Sequence, residues 1–266
     1  MSLLPVHTLL WIVQSLGARI TSGVQALGKM ARFASRAFNA TFQPPLRLRR
    51  IWNEIYINGV LSLSVVCISG SAVGMVLGVQ LYRTLSRFGA DEALGTAVGI
   101  TLVTELGPVL TGLLVSGRAG SAMAGEIGSM VATEQLDGLR MMSIDPMDFV
   151  VSPKLIAMIF VMPLLSALFI MFGLGGGYLA GVTLLGVDAG SYWGGIESAI
   201  TLEDHVAQSM LKSLCFGALI GLIATYRGFH AAPNVEGVSR ATTQAVVAAS
   251  VSLLIADYFI TALWGV

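Results

Sequence analysis

Charged residues are scarce in this sequence: they make up 11% of its 266 residues, while 55% are hydrophobic. A soluble domain carries about 25% charged residues. A soluble fold of this composition would leave much apolar surface in water, at a free-energy cost of about 25 cal/mol per Å². The formal net charge is zero, so the chain has no bulk basic surface for nucleic acid. These shortages exclude a soluble domain and indicate an integral membrane protein.

Cysteine and histidine are also rare, which argues against metal and disulfide chemistry. The two cysteines, Cys67 and Cys215, lie inside apolar runs and are interpreted as small core residues. The three histidines, His7, His205 and His230, are scattered and give no metal-ligand spacing. No set of His, Cys or carboxylates lies on one helix face, which disfavours a membrane-embedded enzyme. We expect no catalytic residues, no metal and no bound cofactor.

Long apolar runs are what the sequence has in abundance. A transmembrane helix needs about 20 apolar residues, and five segments have that length. They are 55–81, 94–116, 149–184, 206–226 and 241–264. The third is long enough to be tilted or broken, for which Pro163 and the glycine-rich run 173–177 are the expected places.

Residues 8–40 follow a different pattern, in which apolar residues recur at steps of three or four from Leu9 to Phe38. The basic residues between them are Arg19, Lys29, Arg32 and Arg36. A helix with an apolar stripe on one face and basic residues on the other lies flat in the membrane interface. An ordinary soluble amphipathic helix is the alternative. Gln43-Pro44-Pro45 ends it, so 1–50 is assigned to an interfacial helix with a basic hinge and 51–266 to the transmembrane domain. The hinge arginines are Arg47, Arg49 and Arg50.

Lysine and arginine are divided unequally between the two sides of the membrane. With the five spans in place, 12 of them fall on the side of the N-terminus and two, Arg83 and Arg87, on the other, while Lys212 lies inside a span. Positively charged loops stay in the cytoplasm. We therefore expect a cytoplasmic N-terminus and a C-terminus on the far side.

Glycines at four-residue steps are dense in the spans. They are Gly70, Gly74 and Gly78 in span 1, Gly95 and Gly99 in span 2, Gly173, Gly177 and Gly181 in span 3, and Gly217 and Gly221 in span 4. This spacing lets helix backbones approach closely. It predicts a tight bundle or a dimer seam, although glycine is also simply common in membrane helices.

Three ionisable residues interrupt the spans: Glu105, Lys212 and Asp257. A charge at the bilayer centre costs about 3 kcal/mol, so each needs a partner or water. At a helix rise of about 1.5 Å per residue, all three fall in the outer half of the membrane. We hypothesise that Glu105 and Lys212 line a chamber for a charged or zwitterionic headgroup; a structural ion pair is the alternative. Pro108 removes a helix hydrogen bond and bends the backbone beside the carboxylate.

The segment 117–148 lies between spans 2 and 3, on the cytoplasmic side of this topology. Its charged and apolar residues predict a short helix that fits a groove on a soluble partner; a helix resting on the membrane surface is the alternative. Nucleotide is expected on that partner. The run Gly23 to Lys29 matches the start of a phosphate-binding loop, but Met30 replaces the hydroxyl that would bind Mg²⁺.

Several short motifs follow one another between about Asn53 and Trp264. They are Thr104-Glu105-Leu106-Gly107-Pro108, Gly117-Arg118-Ala119-Gly120-Ser121-Ala122, Glu126-Ile127-Gly128, Ala132-Thr133-Glu134-Gln135-Leu136, Asp145-Pro146 and Gly237-Val238-Ser239-Arg240-Ala241-Thr242-Thr243. Together they resemble the MlaE (YrbE) family of permeases.

The resemblance implies a permease subunit that is not itself an enzyme: a homodimer of the Gram-negative inner membrane, with ATP and Mg²⁺ bound by a cytoplasmic ATPase (MlaF). It also implies a STAS-domain protein (MlaB) and a periplasmic hexamer of MCE-domain subunits (MlaD). Such an ABC transporter moves phospholipid between the inner membrane and the periplasmic carrier and maintains outer-membrane lipid asymmetry. The implied fold is all-α, with an N-terminal interfacial helix, five transmembrane helices and a cytoplasmic coupling helix at about 125–142.

By the same resemblance, Glu105 and Lys212 are polar residues of the lipid cavity. Its apolar wall would be Leu77, Leu85, Phe88 and Leu106. The residues expected to couple to the ATPase are Glu126, Met130, Glu134, Leu136, Asp137 and Arg140. Relatives can have a basic residue before the glutamate of span 2, where this chain has Thr104, which leaves Lys212 as the phosphate partner. The rival hypothesis is a stand-alone proton-coupled transporter that uses Glu105 and Asp257.

Overall fold

The computed structural model describes residues 47–264 together with 28–40, Thr21 and Gln25. These residues form helices and no strand, and five helical stretches are long and apolar enough to cross a membrane. The stretches are Leu48–Phe88, Asp91–Ala132, Met147–Leu184, Leu202–Phe229 and Val235–Trp264. The five predicted spans are therefore confirmed, each inside a helical stretch that extends past it at one end or both.

Within these stretches, α-helices alternate with short 3₁₀ and π-helical segments. The α-helices are α1 (28–40), α2 (Leu48–Asn58), α3 (Leu63–Leu85), α4 (Leu94–Ile100), α5 (Gly107–Val115), α6 (Ser121–Ala132), α7 (Gln135–Met141), α8 (Ser152–Tyr178), α9 (Ala189–Ala199), α10 (Ala207–Phe229) and α11 (Val235–Trp264). The 3₁₀ segments are Val60–Ser62, Ser86–Phe88 and Asp91–Ala93. The π-helical segments are Thr101–Leu106, Ser116–Gly120, Met147–Val151, Leu179–Leu184 and Leu202–Val206.

The third span differs from its prediction, because α8 runs unbroken through Pro163 and the glycine-rich run 173–177. The break expected at these places does not occur, and π-helical segments precede and follow α8 instead. Neighbouring helices can hold a membrane helix together at proline and glycine. Here Gly173 and Gly176 lie against the backbone of span 1, which supports the helix at its weakest point.

Helix α1 covers the C-terminal part of the predicted interfacial helix. Its buried side, formed by Phe33, Ala37 and Ala40, packs in one cluster with residues of span 3. The rest of the predicted helix over 8–40, apart from Thr21 and Gln25, lies outside the described residues, as does Gln43-Pro44-Pro45. Of the three arginines of the predicted basic hinge, Arg49 and Arg50 lie in the first turn of α2, which begins at Leu48, and Arg47 directly precedes it.

Spans 1 and 3 run parallel along a seam of glycines. The facing pairs are Gly70 with Phe169, Gly74 with Gly173, and Gly78 with Gly177. A Cβ atom at Gly74 would overlap the carbonyl oxygen of Gly173. Because lipid provides no hydrophobic drive between helices, such close backbone contact is a main source of helix association in membranes. The glycine spacing of span 1 therefore serves packing within one chain.

The core lies between the spans, and α9 covers it at one end. Asp188 begins α9, where its carboxylate accepts a hydrogen bond from the backbone N–H of Ser191 at 2.8 Å. Tyr192 is fully buried, and its hydroxyl donates to the carbonyl oxygen of Leu174 at 3.0 Å. Burial raises the pKa of the Tyr192 phenol, which keeps this donor protonated. The opposite end carries α7; we call the two the α9 end and the α7 end.

Candidate functional site

The three ionisable residues of the spans meet at one point. Lys212 on α10 is fully buried, and its Nζ lies 2.8 Å from Glu105 Oε2 and 2.9 Å from Asp257 Oδ1. Thr261 on α11 donates to the other Glu105 oxygen at 3.3 Å. We call Glu105, Lys212 and Asp257 the ion cluster. It joins spans 2, 4 and 5, so residues about 150 positions apart in sequence act together.

A released backbone carbonyl completes the ion cluster. Pro108 has no N–H and cannot donate to the carbonyl oxygen of Thr104, four residues earlier. Lys212 Nζ donates to that oxygen instead, at 3.0 Å. The backbone there is the π-helical segment Thr101–Leu106, a form that is frequent at functional sites. The bend predicted from Pro108 therefore appears as a change of helix type, and the lysine satisfies the free acceptor.

The ion cluster is closed around the lysine and open on the glutamate side. The Glu105 side chain is 40% exposed, against 19% for Asp257 and 0% for Lys212. Two carboxyl groups share one ammonium, so acceptor capacity remains on Glu105. A carboxylate this exposed within a span requires water or protein beside it. The face of span 2 that carries Glu105 is therefore unsuited to direct contact with lipid tails.

The four apolar residues predicted as cavity wall lie on spans 1 and 2. Leu77, Leu85 and Leu106 are partly buried and pack against the main core. Phe88 lies in the 3₁₀ segment that ends span 1, and 81% of it is exposed. Of the four, Phe88 therefore has the largest exposed fraction, whereas the three leucines each pack one side against the core.

The predicted coupling helix over 125–142 is wrong as a single helix. α6 continues span 2 to Ala132, and Glu134, in the left-handed region at φ 57°, turns the chain into α7. On α7, Asp137 and Arg140 pair with each other at 2.6 Å. A non-glycine residue in the left-handed region is uncommon, and neither glycine nor proline marks this turn in the sequence.

The apolar residues of this segment have different environments. Leu136 is 4% exposed and packs in one cluster with Ile127, against which Met130 lies partly buried. Met141 and Met142 are 88% and 63% exposed. The free apolar surface at the end of α7 is thus formed by the two methionines, while Leu136 holds α7 against α6.

Comparison with known proteins relates the chain to one group of permeases. A family model described as Permease MlaE matches residues 51–263. The intermembrane phospholipid transport system permease protein MlaE of Haemophilus influenzae is 39% identical over 251 residues, which cover 94% of this chain and 96% of that protein. The chain belongs to the MlaE permease family.

Two further relatives come from another bacterium and from a plant. A probable ABC transporter permease protein of Rickettsia bellii is 39% identical over 96% of the chain and 98% of that protein. The chloroplastic protein TRIGALACTOSYLDIACYLGLYCEROL 1 of Arabidopsis thaliana is 32% identical over 80% of the chain and 61% of that protein. Together with its five apolar helical stretches, this membership makes the chain a multi-pass membrane permease.

This permease has a second buried lysine, which sequence reasoning missed. Lys154, in the first turn of α8, is 2% exposed, and its Nζ lies 2.7 Å from a carboxylate oxygen of both Glu54 and Glu126. Its place near the start of span 3 makes it look like a loop cation. The signal in the sequence was that Lys154 falls inside the predicted span 149–184, where a charge needs a partner.

A second cationic contact lies beside this one. Arg118 Nη1 donates to the Ile57 carbonyl at 3.1 Å and to Ser62 Oγ at 2.7 Å. Lys154 and Arg118 therefore tie the start of span 1 to the part of span 2 that leads to α7.

Proposed function

We propose that this MlaE permease is the membrane subunit of an ABC transporter that moves phospholipid between the inner membrane and a periplasmic carrier, and so maintains outer-membrane lipid asymmetry. The exposed side of Glu105 carries the proposal. A homodimer that encloses this face in a shared, water-containing chamber avoids placing a carboxylate in lipid. The H. influenzae relative is named for intermembrane phospholipid transport, which supports phospholipid as the cargo.

The hydrogen bonds of Lys212 determine how a headgroup could bind. Lys212 Nζ donates hydrogen bonds to Thr104 O and Glu105 Oε2, and it forms an ion pair with Asp257 at 2.9 Å. Because Lys212 is fully buried among these three groups, a lipid phosphate must displace one of them to reach it. The ammonium of a zwitterionic headgroup can pair with the open side of Glu105 without any displacement. The lipid tails would lie along Leu77, Leu85, Phe88 and Leu106.

The proposed role as the membrane subunit of an ABC transporter also implies partner proteins on both sides of the membrane. The N-terminus and the α7 end would face the cytoplasm, where an MlaF-like ATPase binds ATP and Mg²⁺ and docks on Met141 and Met142, with an MlaB-like STAS protein beside it. The C-terminus and the α9 end would face the periplasm and an MlaD-like MCE-domain hexamer. Closure of the ATPase would push α7. The contacts of Lys154 and Arg118 would pass this movement on to span 1, so that the helices move as rigid bodies and open or close the chamber.

The lipid chamber is tested by photocrosslinking in the reconstituted transporter. A photoreactive phenylalanine at Phe88 is expected to label phospholipid, and the labelling should change by severalfold when ATP is added, because closure alters the chamber. Phe160, which is 61% exposed on span 3, is the matched control and should label bulk lipid regardless of ATP. Equal labelling at Phe88 with and without ATP would contradict the chamber.

The ATPase contact is tested by removing one exposed methionine. Met141→Ser is expected to weaken binding of the ATPase subunit by about tenfold or more, because truncating a central interface residue costs about 2 kcal/mol. Val235→Ser is the control, since Val235 is 87% exposed at the same end of the bundle. Binding would be measured with purified subunits. Lipid movement driven by a pH gradient without any ATPase would instead favour the proton-coupled transporter.

A further inference from the structure

A polar cavity lies at the α7 end, between α1, the start of span 3 and the end of span 4. It has a volume of about 620 Å³. Its charged and titratable lining residues are Lys29, Arg32, Arg36, Arg140, Asp145 and His230. Along α10, Phe229 at its rim is 17 residues from Lys212, or about 26 Å. The cavity is therefore separate from the ion cluster.

The charges around this cavity do not balance. Lys29, Arg32 and Arg36 have no carboxylate within ion-pair distance among the residues that the structure describes. Arg140 is already paired with Asp137, and the remaining acid of the lining, Asp145, accepts a hydrogen bond from the backbone N–H of Met147 at 2.9 Å. A surplus of two positive charges remains, and each charge repels the others across the cavity.

Helix α1 is anchored on the bundle through its buried side. Phe33 is 6% exposed and packs edge-on against Tyr226, with ring centroids 5.4 Å apart, and against Phe229 at 5.7 Å. Ala37 is fully buried in the same cluster. Because α1 is anchored on spans 3 and 4, Arg32 and Arg36 face a formed cavity and are not simply side chains of a free basic helix.

We propose that this cavity binds the headgroup of an anionic phospholipid from the surrounding leaflet, with the phosphate between α1 and Arg140. Basic pockets between helices at the cytoplasmic membrane surface bind such headgroups, and the surplus charge here matches an anionic lipid. The cavity lies where span 3 begins and span 4 ends, which is the height of lipid headgroups.

This binding goes beyond transport, because the lipid is a structural ligand and not the cargo. One headgroup would contact both α1 and α7, the helix that carries the proposed ATPase contact. Anionic lipid would therefore hold α7 in place and link ATPase coupling to the composition of the membrane. The proposal needs the chain to be embedded in a bilayer, but it does not need lipid to be moved.

The experiment compares two double variants of the full-length permease in nanodiscs or by native mass spectrometry. Arg32→Gln/Arg36→Gln is expected to reduce the affinity for phosphatidylglycerol by about thirtyfold, since each cation near a membrane surface contributes about a factor of five. Arg83→Gln/Arg87→Gln removes the same charge at the α9 end and should leave the affinity unchanged. Thermal unfolding checks that both variants fold.

Three results would overturn the proposal. The first is equal affinity of the native permease for phosphatidylglycerol and phosphatidylcholine. The second is displacement of the lipid by soluble glycerol 3-phosphate at similar concentration, which would identify a free phosphate as the ligand. The third is an Arg32→Gln/Arg36→Gln variant that keeps its lipid and loses the ATPase, which would identify an acidic protein surface. Lipid binding is measured without ATP, so failure of the transport proposal would not affect the result.

Discussion

Lys212→Met is expected to destabilise the permease by about 3–5 kcal/mol. Removing one partner of a buried ion pair leaves the other charge without compensation. Here Glu105 and the Thr104 carbonyl lose their hydrogen-bond donor, and Asp257 loses its cation. Thermal or denaturant unfolding in detergent measures the effect. Arg87→Met removes an exposed cation from the end of span 1 and should change stability by less than about 0.5 kcal/mol.

A triple variant separates the structural role of the ion cluster from its role in lipid binding. Lys212→Met/Glu105→Gln/Asp257→Asn removes every charge, and replacing a whole buried ionic group is often neutral. It should therefore regain most of the stability lost by Lys212→Met. Phospholipid transport should remain at least tenfold below the native level, because Glu105 no longer offers a carboxylate. Full transport by the stable triple variant would show that the ion cluster only holds the helices together.

The ion cluster also shows how far the sequence could lead. The apolar spans fix the depth of each charged residue, because a helix advances by a constant rise, so Glu105, Lys212 and Asp257 could all be assigned to the outer half of the membrane. Pro108 indicated a free acceptor nearby, since proline lacks an N–H. The donor that fills it, Lys212, could not be deduced, because the rotation of α10 depends on its packing against other spans.

The opposite end of the bundle was harder to predict, for a different physical reason. Lys154 pairs with Glu54 and Glu126, which lie 100 and 28 residues away in sequence. The position of Lys154 inside the predicted span indicates that it needs a partner, but a lysine so near the membrane surface can also reach water, so hydropathy does not identify these two carboxylates. The turn at Glu134 has no local signal either, because tertiary packing of Leu136 against α6 holds it.

Gly74→Ala is expected to destabilise the permease by about 1–3 kcal/mol or more. The added Cβ would meet the backbone of Gly173, and backbone cannot move aside as a side chain can. Spans 1 and 3 would have to separate along their whole seam, which loses the close contacts that hold membrane helices together. The fall in unfolding temperature, together with the loss of transport in the reconstituted system, measures the effect.

Gly175→Ala distinguishes this mechanism from a general effect of glycine. Gly175 lies on the same seam-forming helix, α8, but it is exposed, and a methyl group added there would have no neighbouring atom within 4 Å. Alanine has the higher helix propensity, so this variant should be neutral or slightly more stable. If Gly74→Ala proved as harmless as Gly175→Ala, spans 1 and 3 would not be in backbone contact. The packing that places α3 and its residues Leu77 and Leu85 beside the rest of the bundle would then have to be abandoned.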